Sequence, residues 1–268
     1  MKVVFLDIDG VLQPHANKNR FQHINEIDAI VGDLNEKFPQ YADWQQFTEK
    51  AGQYDITAVM YDWDKGAVDR LRHVLDTTGA KIVLSTDWRY KDTPMMKALF
   101  ALHGLDKYLV GSTYFIKDYN VGYGDDDYKE RYERVEKNRA AYRQFKAYMQ
   151  KCFDEAYPPK EDEEYSWKLI QVDERAIEIR EYLDRHPEVT SYITIDDRDL
   201  SYGLDGHAVV TRRDVFLPEN EAEALSILMK ADGPYPLPEQ CRTPVLDQWR
   251  TDWLADFERQ EADCYPKA

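Results

Sequence analysis

Two carboxylates stand two residues apart where an apolar run stops, in Lys2-Val3-Val4-Phe5-Leu6-Asp7-Ile8-Asp9-Gly10-Val11-Leu12. The run is rich in β-branched and aromatic residues and reads as a buried strand. Residues i and i+2 of a strand point the same way, so Asp7 and Asp9 project together from its carboxyl end. That end is where open α/β sheets bind their ligands. Two acids held together repel unless a cation neutralises them or one keeps a proton. A hard divalent ion such as Mg²⁺ is the usual solution.

Two further apolar stretches end in residues that bear on the same chemistry. Lys81-Ile82-Val83-Leu84 is a second strand, delivering Ser85-Thr86-Asp87-Trp88-Arg89 at its carboxyl end. There Arg89 offers a two-pronged fork for phosphate. Val189 to Ile195 alternates as a third strand and runs into Asp196-Asp197.

The elements that must position these strand ends follow from periodicity. Ile24 to Leu34 has helical spacing, and Tyr41 to Ala51 reads as a second short helix. Lys65 to Thr77 carries an apolar face of Val68, Leu71, Val74 and Leu75, stopped by Thr78-Gly79-Ala80. Pro94 to His103 is helical, and Tyr108-Leu109-Val110 is a short strand. Tyr128 to Ala156 is a long charged helix, closed by Tyr157-Pro158-Pro159. Val172 to Arg185 is a helix, His207 to Val210 a short strand and Glu219 to Met229 a closing helix. Trp249, Trp253 and Phe257 are expected to tuck a proline-rich tail onto the core. Asp125-Asp126-Asp127 reads as a solvated loop, because it lacks the ligand spacing of a calcium hand.

The Asp7-x-Asp9-Gly10-Val11-Leu12 stretch resembles the first motif of the haloacid dehalogenase (HAD) superfamily. The resemblance spans residues 1–13, 59–113 and 165–230. It implies an α/β fold: a HAD-like Rossmannoid parallel sheet with helices on both faces and two cap-type insertions. It makes 14–58 a small cap, 114–164 a second, helical cap, and 231–268 a tail packed on the core. Asp7 would be the nucleophile that takes a phosphoryl group, and Asp9 the general acid and base. Ser85, or its neighbour Thr86, would bind the phosphoryl group. Asp7, Asp9, Asp196 and Asp197 would hold Mg²⁺, Asp9 through its backbone carbonyl. The phosphate-binding cation would be Arg175, with Lys168 as the alternative; most superfamily members carry Lys there. Gly79 to Arg89, with the late Ile195-Asp196-Asp197, is similar to the HAD domains of RNA-repair proteins. Polynucleotide 3′-phosphatases and deoxyribonucleotidases are near relatives of that subgroup. The implied activity is a Mg²⁺-dependent phosphomonoester hydrolase forming an aspartyl-phosphate, acting on a nucleotide or a nucleic-acid end. A catalytically inactive HAD-fold binding or regulatory module, a phosphoprotein phosphatase and a phosphomutase are the other readings.

Bulk properties narrow the partners. The chain has 268 residues, 43% of them hydrophobic, enough for a large core. A formal net charge of −16 argues against tight binding of long nucleic acids. A small phosphorylated substrate stays compatible, since a local cation offsets the global field. No apolar run approaches the ~20 residues that span a bilayer, so no membrane partner is expected. The N-terminal apolar run is too short for a signal peptide, and the expected location is cytoplasmic. Cys152, Cys241 and Cys264 are scattered and read as reduced thiols, not a disulfide framework or zinc site.

Overall fold

A computed structural model describes residues 1–40, 44, 53–90, 93–113, 146–147, 149–156, 172–204, 206–212, 214–241 and 251. The expected helix over 41–51 (apart from Trp44), most of that over 128–156, Lys168, Asp125 to Asp127, and the aromatics Trp249, Trp253 and Phe257 lie outside the described residues. The chain divides into two compact units, 1–113 with 186–235, and 114–185 with 236–268.

The first unit is built on a five-stranded sheet: β1 (Lys2–Leu6), β2 (Lys81–Leu84), β3 (Leu109–Ser112), β4 (Ser191–Asp196) and β5 (Ala208–Val210). Its order is β3-β2-β1-β4-β5 and every neighbouring pair is parallel. This is the α/β Rossmannoid arrangement expected from the sequence. The chain first builds away from β1 through β2 to β3, then returns to the other side of β1 with β4 and β5. The direction therefore reverses between β1 and β4, and such a switch opens a crevice at the carboxyl ends of the strands. Continuously apolar strands suit this role: Val3, Val4, Phe5 and Leu6 are all buried.

The described helices before β5 include α1 (Arg20–His23), α2 (Ile27–Lys37), α3 (Gln53–Tyr61), α4 (Lys65–Thr78) and α5 (Thr93–Ala101). The helix expected from Ile24 enters as a tighter 3-10 turn over Ile24–Glu26 before α2 begins. Helix α4 buries Val68, Leu71, Val74 and Leu75, the face its spacing predicts, together with Ala67. Its ends have local causes. The Asp64 carboxylate accepts from the Ala67 N–H at 2.7 Å, capping the first turn. Gly79 takes the left-handed conformation (φ 70°) that closes the last turn, and its N–H bonds the Leu75 carbonyl at 2.9 Å. Trp63 meets Phe100 edge to face at 5.3 Å beneath the same core. Each fully buried large apolar side chain of this kind contributes about 1.5–3 kcal/mol.

The stretch after β1 is tied down by polar contacts. Asp62 is fully buried and accepts from the Arg20 backbone N–H at 3.0 Å and from Arg20 Nε. Asn17 and Asn19 donate to the carbonyls of Asp62 and Tyr61, and Asp64 N–H donates to Leu12 at 2.7 Å. His207, at the entry to β5, stacks on Tyr192 at 4.1 Å and bonds its carbonyl, which fixes the ring against the sheet.

The second unit contains helical residues 149–156 and α6 (Glu174–Arg185), whose first turn is set by Asp173 accepting from the Arg175 N–H at 2.8 Å. Lys146 pairs with Glu174 at 2.9 Å, and the Gln150 side chain accepts from the Val172 N–H at 2.7 Å. Cys152 and Cys241 are free, buried neighbours, and burial pushes the Cys241 thiol up to about 12. At physiological pH that thiol is protonated and weakly nucleophilic. No helix among the described residues is long and apolar enough to cross a membrane.

Half-buried His103 stacks on Trp63 at 5.1 Å and donates Nε2–H to the Val59 carbonyl at 2.7 Å. Burial holds its pKa below the ordinary 6.5, which the Val59 bond offsets only in part. A base harder to protonate when folded leaves the unfolded chain holding more protons, so stability falls as pH drops through 6.5 towards the lowered value. His103→Gln is expected to flatten this part of the profile, with urea denaturation at pH 7.5 and 5.5 as the measurement. An unchanged slope in the variant removes His103 as the cause.

Candidate active site

The sheet register lines up the chemistry-bearing residues. Leu6 pairs with Leu84 on one side and Ile195 on the other. The next residues, Asp7, Ser85 and Asp196, therefore form one row across three adjacent strand ends. The ladder continues into that row: Asp7 N–H bonds the Ile195 carbonyl and Ser85 N–H bonds the Leu6 carbonyl, both at 2.9 Å. Thr113 joins through its N–H to the Leu84 carbonyl at 2.9 Å. The row lies at the carboxyl edge, and the strand-order reversal falls between Asp7 and Asp196.

Ligand oxygens of Asp7, Asp196 and Asp197 lie within 4.8 Å of one another. Asp7 and Asp196 are buried, and Asp197 is exposed. Hard carboxylate oxygens, two of them shielded from bulk water, fit Mg²⁺ or another hard divalent ion and suit a soft metal poorly. Asp196 is oriented by the Arg198 N–H, which donates to its Oδ1 at 2.8 Å. Gly10 makes room for the third acid. It has φ 71°, and a Cβ there would sit 2.7 Å from Asp197 Cβ and 2.8 Å from its Oδ2. Both its backbone and its missing side chain are required for this arrangement.

Asp9 lies on the tight turn that follows β1. The turn is closed by Gly10 N–H to the Gln13 carbonyl and Leu12 N–H to Ile8, both at 2.9 Å. Its carboxylate is held from two sides, by Gln13 Nε2 at 2.9 Å and Trp88 Nε1 at 3.0 Å. Burial raises its pKa above the ordinary carboxylate value, the Trp88 bond opposes that, and the charge of Asp7 adds to it. A carboxyl that takes up a proton more readily than usual is suited to acid–base work.

Ser85 and Thr86 part company here. Thr86 Oγ1 accepts from the Trp88 N–H at 3.4 Å, and its carbonyl accepts from Arg89 Nε at 2.6 Å. Ser85 Oγ is buried and has no hydrogen-bond partner among the described residues. A buried hydroxyl in that condition costs free energy unless a ligand oxygen meets it. Arg89 Nη1 donates to Thr113 Oγ1, so part of its guanidinium braces the ends of β2 and β3. Arg175 is the second residue of α6, buried, and belongs to the second unit.

Asp7, Asp196, Asp197 and Ser85 are thus brought to one sheet edge, with Asp9 on the adjoining turn. The sequence reading left out the groups that hold them. Gln13 and Trp88 hold Asp9, and Thr211 donates Oγ1–H to the Gly10 carbonyl at 2.6 Å. Trp88 lies inside the stretch singled out after β2, and Gln13 is four residues beyond Asp9. Neither residue type has a spacing rule that marks it as a carboxylate partner.

A parallel sheet with carboxylates converging at its switch point defines a HAD-type domain with an acidic cluster. The sequence profile of the family described as the HAD domain in Swiss Army Knife RNA repair proteins matches residues 3–136, half of the chain, and the chain belongs to that family. Membership implies a hydrolase of the phosphatase type. The match takes in Asp7, Asp9 and Ser85; Asp196 and Asp197 lie beyond it and are joined to the site by the structure alone. No curated protein and no solved structure matches the chain.

Gly10→Ala is expected to cost about 1–3 kcal/mol through its left-handed backbone and the clash with Asp197. It should also weaken divalent-ion binding by displacing that acid. Denaturant titration and Mn²⁺ titration read the two effects. A variant as stable as the parent, with equal ion affinity, contradicts the packing described.

Proposed function

We propose that the protein is a Mg²⁺-dependent phosphatase that hydrolyses a phosphomonoester through an aspartyl-phosphate. The observation that carries this reading is the single row of Asp7, Ser85 and Asp196, with Asp197 beside it. Asp7 attacks phosphorus in line: its oxygen–phosphorus bond forms as the bond to the leaving oxygen breaks. Protonated Asp9 gives its proton to that oxygen. Asp9, now a carboxylate, takes a proton from water, which attacks the phosphoryl group and frees Asp7 and inorganic phosphate. Ser85 Oγ–H donates to a phosphoryl oxygen throughout. Asp7, Asp196, Asp197 and the Asp9 carbonyl would hold the ion. When bound, the ion neutralises the acids and the phosphate charge developing among them. Arg175 or Lys168 would add a further cation, and Arg89 a bond to phosphate. Phosphoryl transfer depends mainly on positioning and charge neutralisation, so few groups suffice.

The substrate we assign is a nucleotide or a nucleic-acid end phosphate, since RNA repair is what the family's description names. The acidic chain favours a small molecule or short end over a long polymer. The 14–58 and 114–164 stretches are assigned as caps that shape this choice.

Asp7→Asn should abolish turnover and leave the fold intact, as checked by phosphate release and circular dichroism. Wild-type release should require Mg²⁺ and stop with EDTA across a panel of 3′- and 5′-nucleotides, phosphorylated oligonucleotides, sugar phosphates and phosphopeptides. Turnover that survives in Asp7→Asn sinks the nucleophile assignment. Folded, ion-binding protein that releases phosphate from nothing tested favours a non-catalytic module.

A further inference from the structure

His15 and Asp214 form a built pair beside the acidic row. Both carboxylate oxygens of Asp214 serve one residue: Oδ2 accepts the His15 backbone N–H at 2.7 Å, and Oδ1 meets ring Nδ1. An ionised carboxylate only accepts, so Nδ1 carries the proton and Nε2 is the ring's outward group. The side chain of His15 is 60% exposed, so that group reaches solvent. Asp214 is the one described non-glycine residue with positive φ, at 64°. Asp tolerates that conformation better than most residues, yet it still costs free energy, and such positions cluster at functional sites. The turn that holds it is anchored to the site. Asp214 N–H bonds the Thr211 carbonyl at 3.0 Å, Thr211 N–H bonds the Asp196 carbonyl at 2.9 Å, and Thr211 Oγ1 bonds Gly10.

The pair lies within electrostatic reach of Asp9 and Asp197. The charges of Asp9 and Asp197 both act on His15, and His15 acts on Asp9 in return. The bond to Asp214 raises the imidazole pKa above its ordinary value, which favours the imidazolium with Nε2–H as a donor. Arg20 also acts on Asp9, but its backbone N–H and Nε are engaged by buried Asp62. His15 therefore offers an outward donor on the rim near Asp9. Asp9 hands its proton to the leaving oxygen, so a group next to Asp9 meets the leaving group and not the transferred phosphoryl.

We propose that His15, oriented by Asp214, binds a second phosphate carried on the leaving group, so that the site prefers a nucleoside bisphosphate or a phosphodiester-linked end over a simple monophosphate. The inference rests on the phosphatase reading for the direction of the leaving group. No bond is made or broken at His15; its Nε2–H donates to a phosphate oxygen, and Asp214 is a positioning residue.

Calorimetry on the Asp7→Asn background compares a nucleoside 3′,5′-bisphosphate with the nucleoside 3′- and 5′-monophosphates. A charge-assisted hydrogen bond of this kind predicts roughly tenfold tighter binding of the bisphosphate. His15→Gln should erase that advantage and leave monophosphate affinity unchanged. Asp214→Asn, which keeps a backbone acceptor and tolerates the left-handed conformation, should erase most of it. In otherwise wild-type protein, His15→Gln should raise KM for the bisphosphate about tenfold more than it changes KM for the 3′-monophosphate. Equal affinity for bisphosphate and monophosphates, or an advantage that survives His15→Gln, overturns the proposal. Wild-type protein that binds the bisphosphate in this His15-dependent way without releasing phosphate supports the site and rejects the phosphatase reading.

Discussion

Mutual repulsion among carboxylates is the constraint around which this molecule is organised. Asp7, Asp196 and Asp197 converge within 4.8 Å, with Asp9 on the next turn, in a chain of net charge −16. Two like charges 4 Å apart repel by about 4 kcal/mol at an effective dielectric of about 20. A few such terms rival the whole net stability of a domain, about 5–15 kcal/mol. The fold withstands them because each acid is fixed by elements stabilised elsewhere. Asp7 and Asp196 continue strands buried in the core, and Asp197 packs into the gap left by Gly10. The same repulsion that makes the cluster costly would be relieved by a divalent cation held among these acids.

The residues that hold the carboxylates divide the labour. Trp88 and Gln13 hold Asp9, whose protonation is favoured by burial and by its neighbour Asp7. Thr86 and Arg89 shape the turn after β2 and leave Ser85 Oγ without a protein partner among the described residues. Thr211 ties the exit of β5 to Gly10, so the two turns flanking Asp197 are linked by one short bond. Small displacements of any of these turns would therefore be felt at the carboxylates.

How much was legible in the sequence depended on how local the signal was. Buried parallel strands are continuous apolar runs, so β1, β2 and β4, and hence Asp7, Ser85 and Asp196, could be found from their abrupt polar ends. The apolar stripe and Gly79 made α4 equally readable. The register that places the three residues in one row could not be read, because it follows from pairing between segments far apart in the chain. The pairs His15–Asp214 and Arg20–Asp62 were hidden for the same reason. Which of the two hydroxyls, Ser85 or Thr86, a nearby backbone N–H claims is reported by no spacing rule.

The placement of β1 has a consequence for how the protein is made. It is the middle strand of the sheet, and Lys2 pairs with Ser191 on one flank while Val3 pairs with Lys81 on the other. On the ribosome this strand emerges before the rest of the sheet and gains its β4 partner only after about 190 further residues have been added. Until then an apolar strand with an open edge is exposed to other chains, and non-local parallel pairing is slow to form. Asp7 cannot meet Asp196 before the chain has been extended through β4, so the acidic cluster has no precursor in the first half of the chain. A nascent chain carries the parts of the site in order, but the charge density that would capture an ion exists only once the sheet is complete.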